Sequence, residues 1–583
     1  MKSIKLLFLL LPFSMIAQDL DLIFAKSFGG NSFDSSYSIH NDNFGNIYVC
    51  GTFSQTVNFE TTSGIVTYES YGNPNFSDAF VAKFDSIGNM TWVKRIGGGN
   101  VDFALDVKTD ALGNVFVLGT FKGTTDFDPG PNSTTHQSFQ QKPFLVKLDS
   151  EGNFNWVNVN IGVSSGAIAI DSDNDVLLSG IFTGTMSYNS ETGSTETITS
   201  SGSGQGQGIF LAKINGNTSE FMFLKAFKDH VSPSYMSVNT LIIDNQDNIH
   251  ITGIFNGNVD FDPNAGVHEI NHGINQVTMN AVFILKLTNN GEFLWVKSIL
   301  AYPPPISPAG GELYSKDMAL DSNGNLYVVG FFRGTADFNP EVEVYELTSV
   351  NYNRDAYILK LDINGEFLWA KRFGNSMIES IVIDGEDNVY TAGVFAGSIN
   401  FNTDEGQDIF MLTSAGFDYL DIFIHKLNSD GSFMFANRIG GLRNDIPYSM
   451  DISSNSEIIM TGTFYYTVDF NPGEGVFELS SNGYTDIFVT KINSGTLSTP
   501  ENILNENKIK FYPNPFINKI NISSHEKIKH ISIYDLNGKL LKHKKAINTT
   551  SIDININEKW SNGLYIIKIE TDSYYTYQKI IKN

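Results

Sequence analysis

The chain has 583 residues, of which 63 are acidic and 38 are Lys or Arg, and its one cysteine is Cys50. A single cysteine excludes a disulfide framework, and a net charge of −25 argues against nucleic acid as a partner because like charges repel. The length exceeds one ordinary hydrophobic core unless that core is built by repetition.

The N-terminus has the pattern of a secretory signal peptide. Lys2 and Lys5 precede an apolar run at 6–16 that is too short to span a bilayer. We predict a signal peptide at 1–17, with an uncleaved anchor as the alternative. No later segment is long and apolar enough to cross a membrane, so we expect no transmembrane segment in the mature chain.

The first predicted strand, FAKSFGG at 24–30, stands alone ahead of a repeated unit. One strand of that unit ends in Gly-x-Phe or a close variant, and the next has the pattern of DAFVAKFD (78–85). Both are apolar over five to seven residues, as in strands covered on both faces. The glycine recurs every 60–77 residues or so, at Gly51, Gly119, Gly180, Gly253, Gly330, Gly393 and Gly462.

Two further strands complete each unit. A short strand precedes the glycine strand, and an aromatic–lysine strand such as WVKRIGG (92–98) follows the third. The last unit lacks a fourth strand of its own, which FAKSFGG can supply. We therefore predict an all-β fold: a seven-bladed β-propeller over 18–494, with four-stranded blades and a ring closed by the N-terminal strand. A solenoid is the alternative, but it has no use for the offset strand.

These residues resemble the bacterial seven-bladed propeller repeat, in which an AFVAKxDxxG strand is followed by AIAxDxxGNVYVxGxT and DF. The resemblance covers about 20–495 and implies a fold rather than an activity. Two units depart from it, since DSDND (171–175) and SSNSE (453–457) lack the Gly-Asn turn.

Strand parity predicts two different edges for the ring. The first-to-second and third-to-fourth connections are tight turns such as DALGN (110–114). The second-to-third connections are long, as in 54–77 and 465–485, and lie on the opposite edge. Binding usually resides where long connections gather on a rigid scaffold, so we expect it on this loop-rich edge.

The repeated DFDP sequence falls on the loop-rich edge. Carboxylate oxygens are ligands that Ca²⁺ prefers, which makes Asp126, Asp128, Asp260 and Asp262 calcium candidates. Alternatively, Asp and Pro only shape a corner while the intervening Phe packs between blades. We assign no cofactor and no catalytic residue from the sequence.

Residues 268–272, HEINH, match a zinc-protease pattern that requires a helix. Here the surroundings align with strands in other units, such as VYELTSVN (344–351). In a strand the two His lie about 13 Å apart at ~3.3 Å per residue, too far for one ion. We expect a coincidental match in a strand.

The repeat ends near Gly495, and 495–507 has the composition of a polar linker. Residues 508–583 carry 13 Lys against 6 acidic residues, a reversal of charge that marks a separate domain. Alternating apolar strands and the turns DLNG and SNG predict a small β-sandwich.

This tail resembles the C-terminal type A sorting domain of the type IX secretion system. The resemblance implies export across the outer membrane, release or attachment at the cell surface, and the secretion machinery as a partner. A generic β module is the alternative. The matching motif residues are Tyr512, Pro513, Asn514, Pro515, Gly538, Gly563 and Tyr565.

The sequence therefore predicts a secreted or cell-surface propeller that binds a glycan or protein through its loop-rich edge without catalysis. Two alternatives stay open: an extracellular polysaccharide hydrolase or lyase using scattered loop residues, and a structural adhesin. A shallow face rimmed by aromatic side chains favours binding, whereas a polar pocket with converging Asp, Glu and His favours an enzyme.

Overall fold

The chain divides into two compact units, Met1–Thr496 and Leu497–Asn583. No helix among the described residues is long and apolar enough to span a membrane. The predicted signal peptide and the linker 495–507 lie outside the described residues. The computed structural model describes residues 20–72, 76–162, 164–189, 195–200, 207–229, 235–272, 280–302, 311–340, 343–404, 406–416, 418–473, 475–493, 509–512, 516, 518–534, 539–555, 560–561, 563–571 and 575–582.

The described residues form an all-β fold with a short 3-10 turn at Val350–Tyr352. In chain order the strands of the first unit are β1 (Asp21–Phe28), β2 (Ser35–Asn41), β3 (Ile47–Ser54), β4 (Thr56–Thr61), β5 (Gly64–Glu69), β6 (Ser77–Phe84), β7 (Met90–Gly98), β8 (Phe103–Thr109), β9 (Val115–Asp126), β10 (Thr135–Leu148), β11 (Phe154–Asn158), β12 (Ser164–Ile170), β13 (Val176–Thr183), β14 (Thr185–Asn189), β15 (Thr195–Thr199), β16 (Gln207–Ile214), β17 (Phe221–Asp229), β18 (Met236–Ile243), β19 (Ile249–Phe255), β20 (Asn258–Asp260), β21 (Glu269–Asn271), β22 (Ala281–Leu287), β23 (Phe293–Tyr302), β24 (Glu312–Leu320), β25 (Leu326–Arg333), β26 (Thr335–Asp337), β27 (Glu346–Thr348), β28 (Asp355–Leu361), β29 (Phe367–Phe373), β30 (Ser376–Ile383), β31 (Val389–Phe395), β32 (Ser398–Asn400), β33 (Met411–Thr413), β34 (Asp421–Leu427), β35 (Phe433–Gly441), β36 (Ile446–Ile452), β37 (Glu457–Asp469) and β38 (Glu478–Asn493).

One antiparallel pattern recurs along the described part of this unit. In repeat 1, β2 pairs with β3, β3 with β6, and β6 with β7. The same four-strand order holds in repeat 2 (β8–β11), repeat 3 (β12–β17), repeat 4 (β18–β23), repeat 5 (β24–β29) and repeat 6 (β30–β35). Repeat 7 is β36, β37 and β38, with β1 as its fourth strand.

The N-terminal strand pairs where the sequence predicts. β1 lies antiparallel to β38 from Asp21↔Asn493 to Phe28↔Ile487. The first segment of the repeat region therefore completes the last sheet, and no separate edge of β38 remains open on that side.

The repeated glycine is required by a close backbone approach. Each first strand has a register shift directly after the residue opposite this glycine, as at Ser315/Asp317 opposite Gly330. A Cβ on Gly330 would lie 1.9 Å from the carbonyl oxygen of Tyr314, and one on Gly253 would lie 1.9 Å from that of Ser237. Only glycine fits beneath the bulge.

A lysine on the third strand connects consecutive repeats. Lys147 is buried, its ammonium lies 3.6 Å from Asp110 of its own repeat, and it donates to the carbonyl of Gly216 in the next repeat at 2.9 Å. Lys491 of repeat 7 donates in the same way to the carbonyl of Ser86 in repeat 1 at 3.2 Å. The recurring lysine of the AFVAK sequence is thus a structural contact between sheets.

The core is divided into apolar clusters, each shared by two neighbouring repeats. Seven such clusters occur among the described residues of this unit. The cluster containing Phe24, Phe80 and Val489 combines side chains of repeat 7 with those of repeat 1. Burial therefore links the last repeat to the first as well as each repeat to its successor.

The second-to-third connections differ from the long loops that the sequence predicts, because they contain hairpins. β4 pairs with β5, β14 with β15, β20 with β21, β26 with β27 and β32 with β33. In repeats 2 and 7 the hairpin is a continuation of long strands. Pairing within the connection satisfies backbone groups that an irregular loop would leave to water.

The second unit is a five-stranded antiparallel sheet in its described part. Its strands are β39 (Ile509–Tyr512), β40 (Lys519–Tyr534), β41 (Leu540–Asn555), β42 (Gly563–Glu570) and β43 (Tyr575–Lys582). An apolar cluster that includes Ile522, Ile567 and Ile580 forms its core.

We expect Gly330→Ala to lower the free energy of unfolding of the chain by roughly 2–4 kcal/mol, because the new methyl meets the carbonyl of Tyr314. Gly385→Ala is the matched control: a Cβ there has no heavy atom within 4 Å, so we expect a change within about 0.5 kcal/mol. Urea unfolding followed by fluorescence measures both, and equal midpoints for the two variants would contradict this role of the repeated glycine.

Candidate functional site

The calcium candidates act as hydrogen-bond acceptors that shape corners. Asp126 Oδ1 accepts from the backbone N–H groups of Asp128 and Thr134 at 3.1 and 2.9 Å. Asp128 Oδ1 accepts from the N–H of Gly130 at 2.8 Å. Backbone donors therefore occupy one oxygen of each carboxylate.

The second candidate corner has the same geometry. Asp260 Oδ1 accepts from the N–H groups of Asp262 and His268, and Asp262 Oδ1 accepts from that of Asn264. In repeat 6 the amide oxygen of Asn400 makes the equivalent bonds, so a neutral side chain suffices at this position. Within the described ranges, no three His, Cys, Asp or Glu side chains are gathered closely enough to hold a metal ion.

The HEINH segment is extended, as the sequence predicts. Glu269–Asn271 forms β21, the His268 ring packs on Phe293 at 4.8 Å between centroids, and His272 Nε2 lies 3.1 Å from Ser298 Oγ. Burial lowers the pKa of His272, which keeps its ring neutral at physiological pH. The strand prediction is confirmed.

The predicted sorting residues are partly described. Pro513, Asn514, Pro515 and Gly538 lie outside the described residues, and Tyr512 ends β39. Gly563 begins β42 with a φ of 150°, a backbone conformation that favours glycine. Tyr565 is buried, and its hydroxyl donates to the carbonyl of Ser561 at 2.5 Å.

Among the described residues, seven fully buried aspartates lie along the loop-rich edge; Asp355 forms an ion pair with Arg372, and the other six form three pairs. Each has zero solvent exposure. One member of a pair lies at the start of the apolar segment of a third strand, and the other follows a fourth strand. We call these the acid pairs: Asp34 with Asp486, Asp78 with Asp102, and Asp421 with Asp445.

The acid pairs occupy three consecutive junctions, from repeat 6 to repeat 2. Asp34 accepts from the backbone N–H groups of Gly30 and Ser54 at 2.7 and 2.9 Å, which joins repeat 7 to repeat 1. Asp486 accepts from Asn482, but its Oδ1 has no hydrogen-bond partner among the described residues. Oδ1 of Asp78 and Oδ1 of Asp421 share this property.

Glycine makes room for each pair. A Cβ on Gly29 would lie 2.5 Å from Asp486 Oδ1 and 3.0 Å from Asp34 Oδ2. Gly97 and Gly440 stand in the same relation to Asp78 and Asp421, with a Cβ 2.3 Å from each Cγ. The fourth strand therefore passes directly over the carboxyl groups at these junctions.

Burial dominates the titration of the acid pairs. It raises the pKa of Asp34 to about 6 and that of Asp102 to about 7. Burial likewise raises the pKa of Asp78 and that of Asp445 to about 7, and for both the neighbouring carboxylate adds to the shift. These groups exchange protons near neutrality.

Aromatic rings with exposed or partly exposed surface lie next to each acid pair. Phe33 and Tyr484 stack with centroids 4.7 Å apart and an angle of 13°, and their exposed fractions are 53% and 60%. Phe33 precedes Asp34 directly, and Tyr484 is two residues from Asp486. This ring pair covers the junction of repeats 7 and 1.

The two flanking junctions carry an arginine stacked on a tyrosine. The Arg95 guanidinium lies 3.9 Å from the centroid of Tyr71, whose N–H donates to Asp78. The Arg443 guanidinium lies 4.6 Å from the centroid of Tyr419. With the Phe33–Tyr484 stack, these form three flat surfaces, which we call the platforms.

In the comparison with protein families, a match is found for the second unit. Residues 510–583 match the family model described as a secretion system C-terminal sorting domain. The chain carries a secretion-system sorting domain. Its Tyr565 and Gly563 lie in β42, the strand that pairs with both β40 and β43.

The repeat region is similar to a viral protein. An uncharacterized WD repeat-containing protein, L264, of Acanthamoeba polyphaga mimivirus is 23% identical over 516 residues, which cover 77% of this chain. The chain spans 36% of the length of that relative.

Two solved structures are similar to this chain at lower sequence identity. The Dos1 propeller is 7% identical with a TM-score of 0.36, over 81% of this chain and 95% of that one. A protein of unknown function from Bacteroides caccae is 11% identical with a TM-score of 0.24, over 59% of this chain and 94% of that one. Neither carries an argument about the site.

Sequence reasoning missed the platforms and the acid pairs, although one signal marks them. The six-residue pattern Gly-Gly-x-x-x-Asp occurs at GGNSFD (29–34), GGGNVD (97–102) and GGLRND (440–445). Its first glycine makes room for the carboxyl group, and its second lies against a backbone carbonyl of the next repeat, such as that of Thr124 for Gly98. Its aspartate is one member of a pair.

The acid pairs predict that stability depends on pH. The pKa of each carboxyl is near 3.8 when unfolded and is raised in the fold, so the folded chain binds more protons between about pH 4 and pH 7. Their stabilisation is complete below pH 4 and is lost as the pH rises through 7. We therefore expect the melting temperature to fall as the pH rises from 5 to 8, because these groups lose their protons.

Asp486→Asn isolates this effect, because it removes one charge of the pair at an oxygen that accepts no hydrogen bond among the described residues. We expect it to raise the melting temperature at pH 8 by roughly 1–2 °C and to flatten the pH profile. Asp362→Asn, in an exposed turn, is the control. Parallel pH profiles for wild type and Asp486→Asn, measured by scanning calorimetry, would contradict a titrating pair.

Proposed function

We propose that this chain is an extracellular glycan-binding protein without catalytic activity, exported by the type IX secretion system. In this proposal the repeat region at 18–494 is a closed seven-bladed β-propeller, and 508–583 is a sandwich-like sorting domain behind the linker 495–507. A signal peptide at 1–17 directs the first export step. The single observation that carries the binding function is the row of platforms at three consecutive junctions.

Two contacts support a closed ring. β1 pairs with β38, and a shared apolar cluster joins repeat 7 to repeat 1. The Lys491 ammonium adds a hydrogen bond to Ser86 across the same junction. Each of these contacts would be lost in an open solenoid.

The platforms favour a glycan as the ligand. Aromatic faces are apolar and flat, as are the C–H faces of pyranose rings, while Tyr hydroxyls and neighbouring amides supply polar contacts. Phe33 and Tyr484 are more than half exposed, so the ring pair presents a face that a ligand can cover.

The acid pairs do not favour a hydrolase. A glycosidase needs two carboxyl groups on either side of the bond that it cleaves. Asp34 and Asp102 have no exposed surface and both accept backbone N–H bonds. We infer that these carboxyls support the platforms from below and do not contact a ligand.

Tyr484→Ala tests the proposed site. We expect the purified mature chain to bind neutral oligosaccharides on a glycan array and the variant to bind about tenfold or more weakly, because half of the stacked pair is removed. Phe44→Ala is the control, since Phe44 is 70% exposed in a turn on the opposite edge. Equal loss in both variants, or no binding by wild type, would contradict the proposal.

The calcium prediction for Asp126, Asp128, Asp260 and Asp262 has its own test. If these aspartates bind Ca²⁺ that supports the site, glycan binding should weaken when Ca²⁺ is removed with EGTA.

The sorting domain predicts where the protein goes. Deletion of 510–583 should retain the chain in the periplasm of a bacterium that has the type IX machinery, as judged by cell fractionation and immunoblotting. A reporter fused between residues 1–25 and 495–583 should reach the cell surface or medium. Export of the deleted chain at the wild-type level would exclude this role.

A further inference from the structure

The hairpin of repeat 1 differs in sequence from those of repeats 2 and 4. Those repeats have DFDP at the corner, whereas repeat 1 reads NFETTSG at 58–64. β4 and β5 pair over six positions, against five for β14 with β15 and three for β20 with β21 or β32 with β33. The hairpin therefore extends further along its sheet.

This extension encloses a groove beside the ring-closing strand. The N–H of Thr62 donates to the carbonyl of Met90 at 2.8 Å, which ties the hairpin tip to the turn edge. At the other end a single bridge joins Val57 to Gly30. Between these points β1 and β4 bound a cavity of about 680 Å³. That volume lies within the roughly 300–1,000 Å³ typical of small-molecule sites. We call it the seam groove.

The lining of the seam groove is polar and balanced in charge. Thr56, Asn58 and Glu60 are exposed on one face of β4, while the alternate residues Val57 and Phe59 are buried. Lys26 of β1 and the amides Asn31 and Asn482, from the segments that carry the Phe33–Tyr484 platform, also line the groove. Glu60 and Lys26 contribute one charge of each sign, which suits a neutral ligand with hydroxyl groups in a chain that is otherwise acidic.

The groove is continuous with the central platform. Asn31 lines the groove and Phe33 follows two residues later, and Asn482 lines it two residues before Tyr484. Two residues span at most roughly 7 Å of chain. The Asn482 amide also donates to the carbonyl of Gly29 at 3.4 Å, so both segments meet at the mouth of the groove. A ligand that covers the ring pair thus reaches the groove within one or two sugar units.

We propose that the seam groove is a second subsite, which binds the continuation of a neutral glycan chain whose other units rest on Phe33 and Tyr484. This inference rests on the proposed glycan-binding function and names its ligand as an extended, uncharged oligosaccharide. Hydroxyl and amide side chains of Thr56, Asn58 and Asn31 hydrogen-bond to sugar hydroxyls along the groove. Affinity therefore increases with chain length until the groove is filled.

The test uses the mature full-length chain and ladders of neutral gluco-, manno- and xylo-oligosaccharides of two to six units, with affinity measured by calorimetry. Thr56→Trp enlarges a lining side chain of the groove on β4, a strand that carries no platform residue. Ser398→Trp is the matched control, because Ser398 is exposed at the equivalent position of the repeat 6 hairpin. Melting temperatures of both variants verify that each is folded.

We expect the wild type to gain at least tenfold in affinity between two and six units for one ladder. Thr56→Trp should abolish that gain and leave disaccharide binding unchanged, whereas Ser398→Trp should behave as wild type. Length-dependent binding that Thr56→Trp does not alter, while Tyr484→Ala weakens it, would overturn the groove proposal and leave the proposed function standing. Absence of binding by wild type to every ladder would overturn both.

Discussion

The buried lysine on the third strand is the contact on which the first unit depends. An ammonium taken from water requires paired charges and hydrogen bonds, and Lys147 finds them in Asp110 and in the carbonyl of Gly216 of the following repeat. Lys83, Lys213 and Lys360 likewise donate to the following repeat, which thus completes the environment of a charge in its neighbour. Lys491 finds its carbonyl in repeat 1, so the same requirement couples the two ends of the repeat region.

The repeated glycine serves the same assembly from within each sheet. The bulge opposite Gly330 shifts the register of β24 after Ser315, and contacts between neighbouring first strands follow from that shift. One example is Ser380, whose hydroxyl donates to Asp317 of the preceding repeat at 2.8 Å. A methyl group at the glycine would displace the bulge and these contacts together. Lysine and glycine are therefore retained in nearly every repeat for structural reasons, and they say nothing about a ligand.

The surfaces of the candidate site occur where the repeat varies. The three junctions with a Gly-Gly-x-x-x-Asp segment carry the platforms, and the hairpin of repeat 1, which pairs over six positions, bounds the seam groove. Rigid strands hold these variable segments in place, while the acid pairs beneath them remain dry. Contacts that recur between repeats thus form a common scaffold, and the platforms and the seam groove lie on the segments that differ.

The amino-acid sequence determined the local features by itself. Apolar periodicity and turn residues predicted the strands, and the tail motifs predicted the sorting domain, because both depend on residues close together in the chain. The pairing of β1 with β38 was predictable for another reason, since FAKSFGG stands alone and the last unit lacks a fourth strand. In the second-to-third connections, periodicity did not distinguish a hairpin from an irregular loop, because a polar sequence is compatible with either. Only the tertiary structure decided that Phe33 stacks on Tyr484, that Asp34 faces Asp486, and that β1 and β4 enclose a groove. The two ring partners and the two carboxyl partners come from opposite ends of the repeat region, and β1 and β4 belong to different repeats. A pattern within one repeat specifies which face is buried but not which residue of another repeat lies against it.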